Sequence, residues 1–304
     1  MSSKRGLYGL LYSAKRYCPK YSGFEYAKTL AQQLFKEERP AHVNLRHAGL
    51  NALTTNIYEK GNTEQRAALA RDLFHAGIQS IECSQTHSIG PENIILSSAG
   101  VQITHVVETM GELESFLPHK RMGASVVFPL GVAAQFNFLD QKRSASHEFK
   151  DFLSLRKRSL HSGVPHEVYV MRAFSGIHKE KDLANLILDL RHYARRVILS
   201  DSSGVATPEK VDAVLRSLPK YTIDSNLCVS FWRTEGNREL SNLITALSHG
   251  ITQVNVGFND PGYTRISDLE TYLLLTHLDI QTDINGDLLK IADKRRREMI
   301  STFK

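Results

Sequence analysis

Ionisable side chains stand at the ends of three β-rich segments, where an α/β protein could bring them together. Arg46 and His47 end the first segment, Glu82 lies near the end of the second, and Asp201 ends a later one. A guanidinium can offset the negative charge of an enolate, and a histidine beside a carboxylate can exchange protons with a substrate. These residues therefore predict either an acid–base pocket or a set of buried ion pairs.

The segments that carry these residues belong to a regular alternation of β-rich and amphipathic stretches. Helical spacing is clear between them, as at Leu69, Leu73 and Ala76, with polar residues on the opposite face. No GxGxxG follows the first β-rich segment, so closure into an α/β (β/α)8 TIM barrel is favoured over an open doubly wound sheet. The eight predicted strands are 43–46, 78–83, 103–108, 124–128, 167–172, 196–201, 226–231 and 252–257.

The chain is predicted to have three parts: a basic N-terminal extension at 1–40, the barrel at 41–284, and a basic C-terminal helix at 285–304. Residues 1–24 contain five Lys or Arg and no acidic residue. Basic, acid-free segments with Ser and spaced apolar residues are typical of mitochondrial import sequences. The alternative is a basic tail without a targeting role. We also expect this extension to dock on a neighbouring subunit through its Tyr, Phe and Leu side chains.

Composition limits the other functional classes. No apolar run approaches the roughly 18 residues that a membrane-spanning helix needs, so no membrane span is expected. The 3 cysteines form no Cys-x-x-Cys pair, and the 13 histidines include no His-x-His, so neither a disulfide framework nor a zinc site is predicted. The net charge of +6 is concentrated in the extensions, including Lys294 to Arg297, which could contact RNA phosphates.

One motif resembles a known enzyme family. Residues 199–208 read Leu-Ser-Asp-Ser-Ser-Gly-Val-Ala-Thr-Pro, which resembles the sixth-strand signature of hydroxymethylglutaryl-CoA (HMG-CoA) lyase and its metal-dependent aldolase-type relatives. Residues 77–82 and 242–250 resemble the second strand and the helix after the seventh strand of that family. The resemblance implies a TIM barrel with a catalytic Arg and a metal-binding Asp on strand one. Two His on strand seven and a later Asn would complete the metal site, with a Cys as acid and base.

The chain departs from this family pattern at the metal ligands. Arg46 matches the catalytic Arg, but His47 or Ala48 stands where the Asp is expected. Hard divalent cations need several oxygen or imidazole ligands in fixed geometry, so these changes predict a lost metal site. The strand-seven His positions hold Ser230 and Trp232 or, in the other register, Phe231 and Arg233.

The loop after strand eight departs as well. Residues 258–263 contain no Cys, and Asn259 and Asp260 are more simply part of a turn. Glu82 and Asp201 match acidic pocket positions of the family, and without a cation such carboxylates need a donor. Arg46 or Arg233 could supply it, which makes Arg46, Glu82 and Asp201 a vestigial, internally paired pocket.

Three functions are compatible with these features. The first is a catalytically inactive lyase-like barrel that serves as a structural or accessory subunit of a larger mitochondrial assembly, such as a mitoribosome or a respiratory-type complex. It would need no cofactor or metal and would contact other subunits through the N-terminal arm and the barrel surface. The second is an active acyl-CoA lyase or aldolase with a rearranged site at Arg46, His47, Glu82 and Asp201. The third is a regulator that binds an acyl-CoA without converting it.

Overall fold

The computed structural model describes residues 23–35, 39–48, 63–83, 101–120, 124–131, 145–176, 179–224, 226–232, 238–258 and 265–301. Within these ranges, eight parallel strands hydrogen-bond in sequence order and close into a barrel, with the eighth beside the first. The predicted α/β TIM barrel is therefore confirmed. No helix in these ranges combines the length and apolar character that a bilayer span requires.

The strands agree closely with the predicted segments. Only β4 is markedly longer than predicted, because Pro129 continues the strand in register with Tyr169 instead of ending it. The strands are β1 Asn44–His47, β2 Ser80–Cys83, β3 Gln102–Val106, β4 Ser125–Gly131, β5 His166–Met171, β6 Arg196–Asp201, β7 Leu227–Phe231 and β8 Gln253–Val256.

Helices surround the barrel, and several begin at well-formed caps. Thr207 accepts a hydrogen bond from the Lys210 amide, with Pro208 at the first helical position, as the sequence predicts. Ser267 caps the helix after β8 in the same way. The nine α-helices of the described residues are α1 Gly23–Leu34, α2 Thr63–His75, α3 Met110–Phe116, α4 Ala145–His161, α5 Glu180–Arg191, α6 Pro208–Ser217, α7 Glu239–Ser248, α8 Asp268–His277 and α9 Gly286–Ser301.

The side chains of each strand alternate between the barrel interior and the layer under the helices. Most outward positions are apolar and buried, as at Val168, Val170 and Leu199. The inward positions are mixed: Val127, Ile198 and Cys228 pack around Tyr169, and polar or charged residues occupy most of the rest. The interior of the barrel is therefore the unusual part of the fold.

Helix α1 packs against α7 and covers its outer face. Every residue of α7 from Glu239 to Leu247 is buried, which a helix on the outside of a barrel achieves only with a second layer over it. Ala27, Leu30 and Ala31 of α1 belong to the main hydrophobic core. Residues 23–34, which lie in the predicted extension at 1–40, therefore pack on the barrel; residues 1–22 lie outside the described residues.

The basic run at the C-terminus lies on α9 and is matched by carboxylates. Arg295 pairs with Asp72 of α2, while Arg296 and Arg297 both pair with Asp293 one turn earlier. Arg296 is buried, with its guanidinium carbon 5.1 Å from the ring centroid of Phe258. Much of the positive charge of this helix is thus paired within the chain itself.

Candidate functional site in the barrel interior

A buried ion-pair triad lies deep in the barrel. The Arg46 guanidinium donates to Glu167 Oε2 at 2.9 Å, and Arg196 donates to Glu167 Oε1 at 2.7 Å. Glu167 is fully buried, and Arg46 is 6% exposed. Burial is the largest single influence and opposes the charge of Arg46, but Glu167, Cys228 and Tyr169 together outweigh it and raise the pKa of Arg46. Arg46 is therefore a fixed cation with its own counter-ion.

A second polar layer lies nearer the carboxyl ends of the strands. The Tyr169 hydroxyl donates to Glu82 Oε2 and accepts from Asn255 Nδ2 at 2.6 Å and Arg265 Nη1 at 2.9 Å. Arg265 Nη2 also lies 3.4 Å from Glu82 Oε1. Burial raises the pKa of Tyr169 well above its usual value, so the hydroxyl stays protonated. Asn255 joins the two layers, because its Oδ1 also accepts from Arg46 and from the Cys228 thiol.

Arg265 reaches this layer because residues 265–267 extend the barrel wall above β7 and β8. Trp232 and Arg265 form an antiparallel bridge, and Gly257 and Ser267 form a parallel one. The Arg265 guanidinium carbon lies 6.0 Å from the centroid of the Trp232 ring and 5.4 Å from that of Tyr169, within the range of a cation–π contact. The mouth of the barrel thus contains a guanidinium held between aromatic rings and a carboxylate.

Asp201 was predicted to pair with Arg46 or Arg233, and the structure does not pair it with Arg46. Its carboxylate accepts from the backbone amides of Val205 at 3.1 Å and Ala206 at 3.0 Å, so it organises the loop after β6. Burial nevertheless raises the pKa of Asp201. Arg46 pairs with Glu167 and not with Glu82 or Asp201, while Arg233 lies outside the described residues. Arg46 and Glu82 are therefore connected through Asn255 and Tyr169, whereas Asp201 binds the backbone of the loop after β6.

His47 lies on the opposite side of the strand from Arg46. Its ring packs against Phe258 with centroids 4.3 Å apart, and its Nε2 lies 3.7 Å from Asp268 of α8. Burial, with the nearby Arg265 and Arg296, lowers the pKa of His47 to about 3. Strand alternation thus places Arg46 inside the barrel and His47 in the outer layer. The four residues of the alternative active site do not converge.

The described residues of the mouth do not fit the divalent cation that the family resemblance implies. In this part of the chain, no three His, Cys, Asp or Glu side chains are grouped as a metal site would need. Ser230 lies on the inner face of β7, Trp232 follows the end of that strand, and Glu82 is already engaged by Tyr169 and Arg265. Indole and guanidinium N–H groups donate hydrogen bonds and do not ligate metals. Asn259 and Asp260, the other candidates, lie outside the described residues.

The eight-stranded barrel resembles solved structures of lyases. The HMG-CoA lyase of Pseudomonas aeruginosa superposes with a TM-score of 0.73 at 19% identity, over 86% of this chain and 94% of that one. The Bacillus subtilis HMG-CoA lyase gives 0.71 at 20% identity, over 86% and 95%. The fold is that of an HMG-CoA lyase-like barrel. At these identities the likeness establishes the fold and not the reaction.

The lyase-like barrel also resembles a larger enzyme. The carboxyl transferase domain of Rhizobium etli pyruvate carboxylase, solved with pyruvate and biocytin, gives a TM-score of 0.67 at 10% identity, over 93% of this chain and 51% of that one. The sequence itself matches no family model and no curated protein.

Several residues of the interior were not singled out from the sequence: Glu167, Tyr169, Arg196, Asn255 and Arg265. A signal exists for β5, which reads His-Glu-Val-Tyr-Val-Met, with polar groups at alternate positions of a strand buried on both faces. Parallel barrel strands usually read as continuous apolar runs, so such alternation indicates a polar interior. No comparable local signal marks Arg265.

Proposed function

We propose that this protein is a catalytically inactive lyase-like barrel that serves as an accessory subunit of a larger mitochondrial assembly. The observation that supports inactivity most directly is the Arg265 guanidinium at the barrel mouth, bound to Glu82 and Tyr169. Metal-assisted lyase chemistry needs a divalent cation to polarise substrate oxygens. A fixed guanidinium beside the pocket carboxylate repels such a cation and engages a carboxylate that could bind it.

Arg46 supports the same conclusion. A catalytic arginine must be available to a substrate, whereas this guanidinium is buried and bound to Glu167, Ser80 and Asn255. To bind a substrate, Arg46 would have to leave Glu167, which would then keep only one of its two cationic partners in a low-dielectric interior. Breaking a buried ion pair in this way costs about 3–5 kcal/mol. The ion pairs act as structural contacts that fill the barrel.

The accessory role rests on the ends of the chain. Residues 1–22 are basic and free of acidic residues, with apolar and aromatic side chains between the charges. This composition suits both import into mitochondria and contact with an acidic protein surface or RNA phosphates. The C-terminal helix has less free charge for RNA, because its arginines pair with Asp72 and Asp293. We therefore assign partner binding mainly to the N-terminal segment.

Native isolation tests this proposal. The tagged full-length protein should co-fractionate with mitochondria and elute from gel filtration in a particle much larger than its own 34.2 kDa. A variant that lacks residues 2–22 but keeps α1, given an independent import signal, should enter mitochondria and elute alone. Elution of the full-length protein as a free monomer would contradict the accessory role. A stable complex with a labelled acyl-CoA, without bond cleavage, would favour the regulator instead.

A further inference from the structure

Large apolar side chains are exposed together on one sector of the barrel. Leu153 and Leu160 lie on α4, Tyr193 follows α5, and Tyr221 lies in the turn after α6. They are four of the eight large apolar residues exposed within the described ranges, and Leu160 is 53% and Tyr221 76% exposed. A single exposed apolar residue needs no explanation, but a group of them on one face of a protein marks an interaction site.

The two leucines belong to a stripe along α4. Leu153, Lys157 and Leu160 are spaced four and three residues apart, so they share one side of the helix. Arg156 borders this side, and its guanidinium carbon lies 4.2 Å from the ring centroid of Tyr193. The stripe therefore faces the seam between α4 and α5. Helix α5 packs on α6, whereas α4 and α5 contact each other little, so the described residues leave this seam open.

The seam continues to Tyr221 through the loops that precede β6 and β7. Arg191 at the end of α5 donates to the Thr222 carbonyl and pairs with Asp224. These contacts join the loop that holds Tyr193 to the turn that holds Tyr221. We call the resulting surface the α4–α6 face; its apolar residues are Leu153, Leu160, Tyr193 and Tyr221.

The α4–α6 face is positively charged. Arg158 and Arg191, which flank it, are already paired with carboxylates and add no free charge. Four cations and one carboxylate remain on it, which leaves a net charge of +3, so the partner that fits is acidic as well as apolar. These five charged residues are Arg156, Lys157, Arg195, Lys220 and Asp189.

We propose that the α4–α6 face binds an acidic amphipathic helix of another protein, with leucines of that helix against Leu153 and Leu160 and carboxylates beside Lys157. Residues 1–22 of the chain are basic, and a second copy would bring the same cations together, so charge disfavours both as occupants. RNA would use the cations and the tyrosines but would gain nothing from the exposed leucines. The inference rests on the proposed accessory function and adds a contact surface on the barrel itself.

Designed peptides test the surface on the purified full-length protein. The probe is a fluorescent helical peptide of about three heptads, with Leu at the apolar positions and Glu at the positions beside them. The other arms replace Glu with Lys, scramble the acidic sequence, or use a single-stranded RNA. We expect a saturable rise in anisotropy with the acidic helix alone. No binding of the acidic helix, equal binding of its scrambled form, or tighter binding of RNA would each overturn the proposal.

Variants at exposed positions locate the binding surface. Lys157→Glu should weaken binding of the acidic helix about tenfold and give binding of the Lys-containing helix, because it reverses the charge beside the leucines. Leu160→Gln should also weaken binding of the acidic helix. Matched controls on the opposite side of the barrel are Lys294→Glu on α9 and Leu273→Gln on α8, which should bind as the native protein does.

Unchanged binding by Lys157→Glu, with folding checked by circular dichroism, or an equal loss in the controls would contradict this surface. The result is separate from that of native isolation. A free monomer in mitochondria would contradict the accessory role whatever the peptides do, whereas a protein that elutes in a large particle but binds no acidic helix would contradict the α4–α6 face alone.

Discussion

The inside of the barrel and the layer under its helices are built from the same eight strands but use opposite chemistry. On β5, Val168 and Val170 face outward into an apolar core, whereas Glu167 and Tyr169 face inward into two polar layers. The outer layer is held by burial of apolar surface, which tolerates many side chains of similar size. The inner layers depend on specific ion pairs and hydrogen bonds, so the loss of one partner leaves a buried charge without its counter-ion.

This difference bears on function. In an active barrel, polar groups at the carboxyl ends of the strands remain available to a ligand. Here Arg46 and Glu82 are both engaged by partners within the chain. The inner layers therefore act mainly as a specific core.

The largest effect is expected from the triad. Glu167→Ala should destabilise the fold by about 3–5 kcal/mol, because Arg46 and Arg196 lose their shared counter-ion while buried. Chemical denaturation measures the change. The control is Glu114→Ala, which removes an exposed partner of Arg158 and should leave the denaturation midpoint unchanged. Similar midpoints for the two variants would show that the buried ion pairs of Glu167 contribute no more to stability than an ion pair on the surface.

A comparable effect is expected from α1, which covers the outer face of α7. Deleting residues 2–34 removes Leu30 and its neighbours from that face, and losing a buried leucine alone costs about 2–5 kcal/mol, so the deletion should cost at least as much. The protein should melt several degrees lower and bind a hydrophobic dye. Deleting residues 2–22 should leave the melting temperature unchanged, since α1 stays in place. Equal melting temperatures for the two deletions would refute the packing role of α1.

Acidification tests the outer layer further through His105. Burial lowers the pKa of His105 to about 4, and its ring packs on Phe116 with centroids 4.8 Å apart. The folded pKa lies below that of the unfolded chain, so the unfolded state takes up a proton first as pH falls below roughly 6.5. This contribution to stability is present at neutral pH and is lost progressively between about pH 6.5 and pH 4.

The native protein should therefore lose about 1–2 kcal/mol between pH 7 and pH 5 through this one side chain. His105→Leu should show a shallower dependence of stability on pH, whatever its effect at neutral pH. Removing the exposed His277 as His277→Gln should leave the dependence as it is in the native protein. If the stability of the native protein and that of His105→Leu changed with pH in parallel, this imidazole would not be buried in its neutral form.

The barrel could be predicted from the sequence, but the side-chain pairing inside it could not, and the reasons are physical. Strand β6 was predicted at its observed bounds because an apolar run of parallel-strand type is flanked by charged residues. Periodicity also indicates which face of a strand is buried against helices. It does not indicate which distant residue pairs with Arg46, because Glu167 lies on a strand that joins it only when the barrel closes. Asp201 was placed correctly at a strand end, but its backbone partners depend on the conformation of the following loop.

Turnover of HMG-CoA tests the central claim most directly. The purified protein, supplied with Mg²⁺ or Mn²⁺, is incubated with HMG-CoA, and acetyl-CoA formation is followed over time. The account predicts no product above the rate without protein, because Arg46 is bound by Glu167 and a guanidinium holds the pocket carboxylate at the mouth. Metal-dependent formation of acetyl-CoA that is lost in Arg46→Gln would contradict it and would show that the barrel interior opens to a substrate.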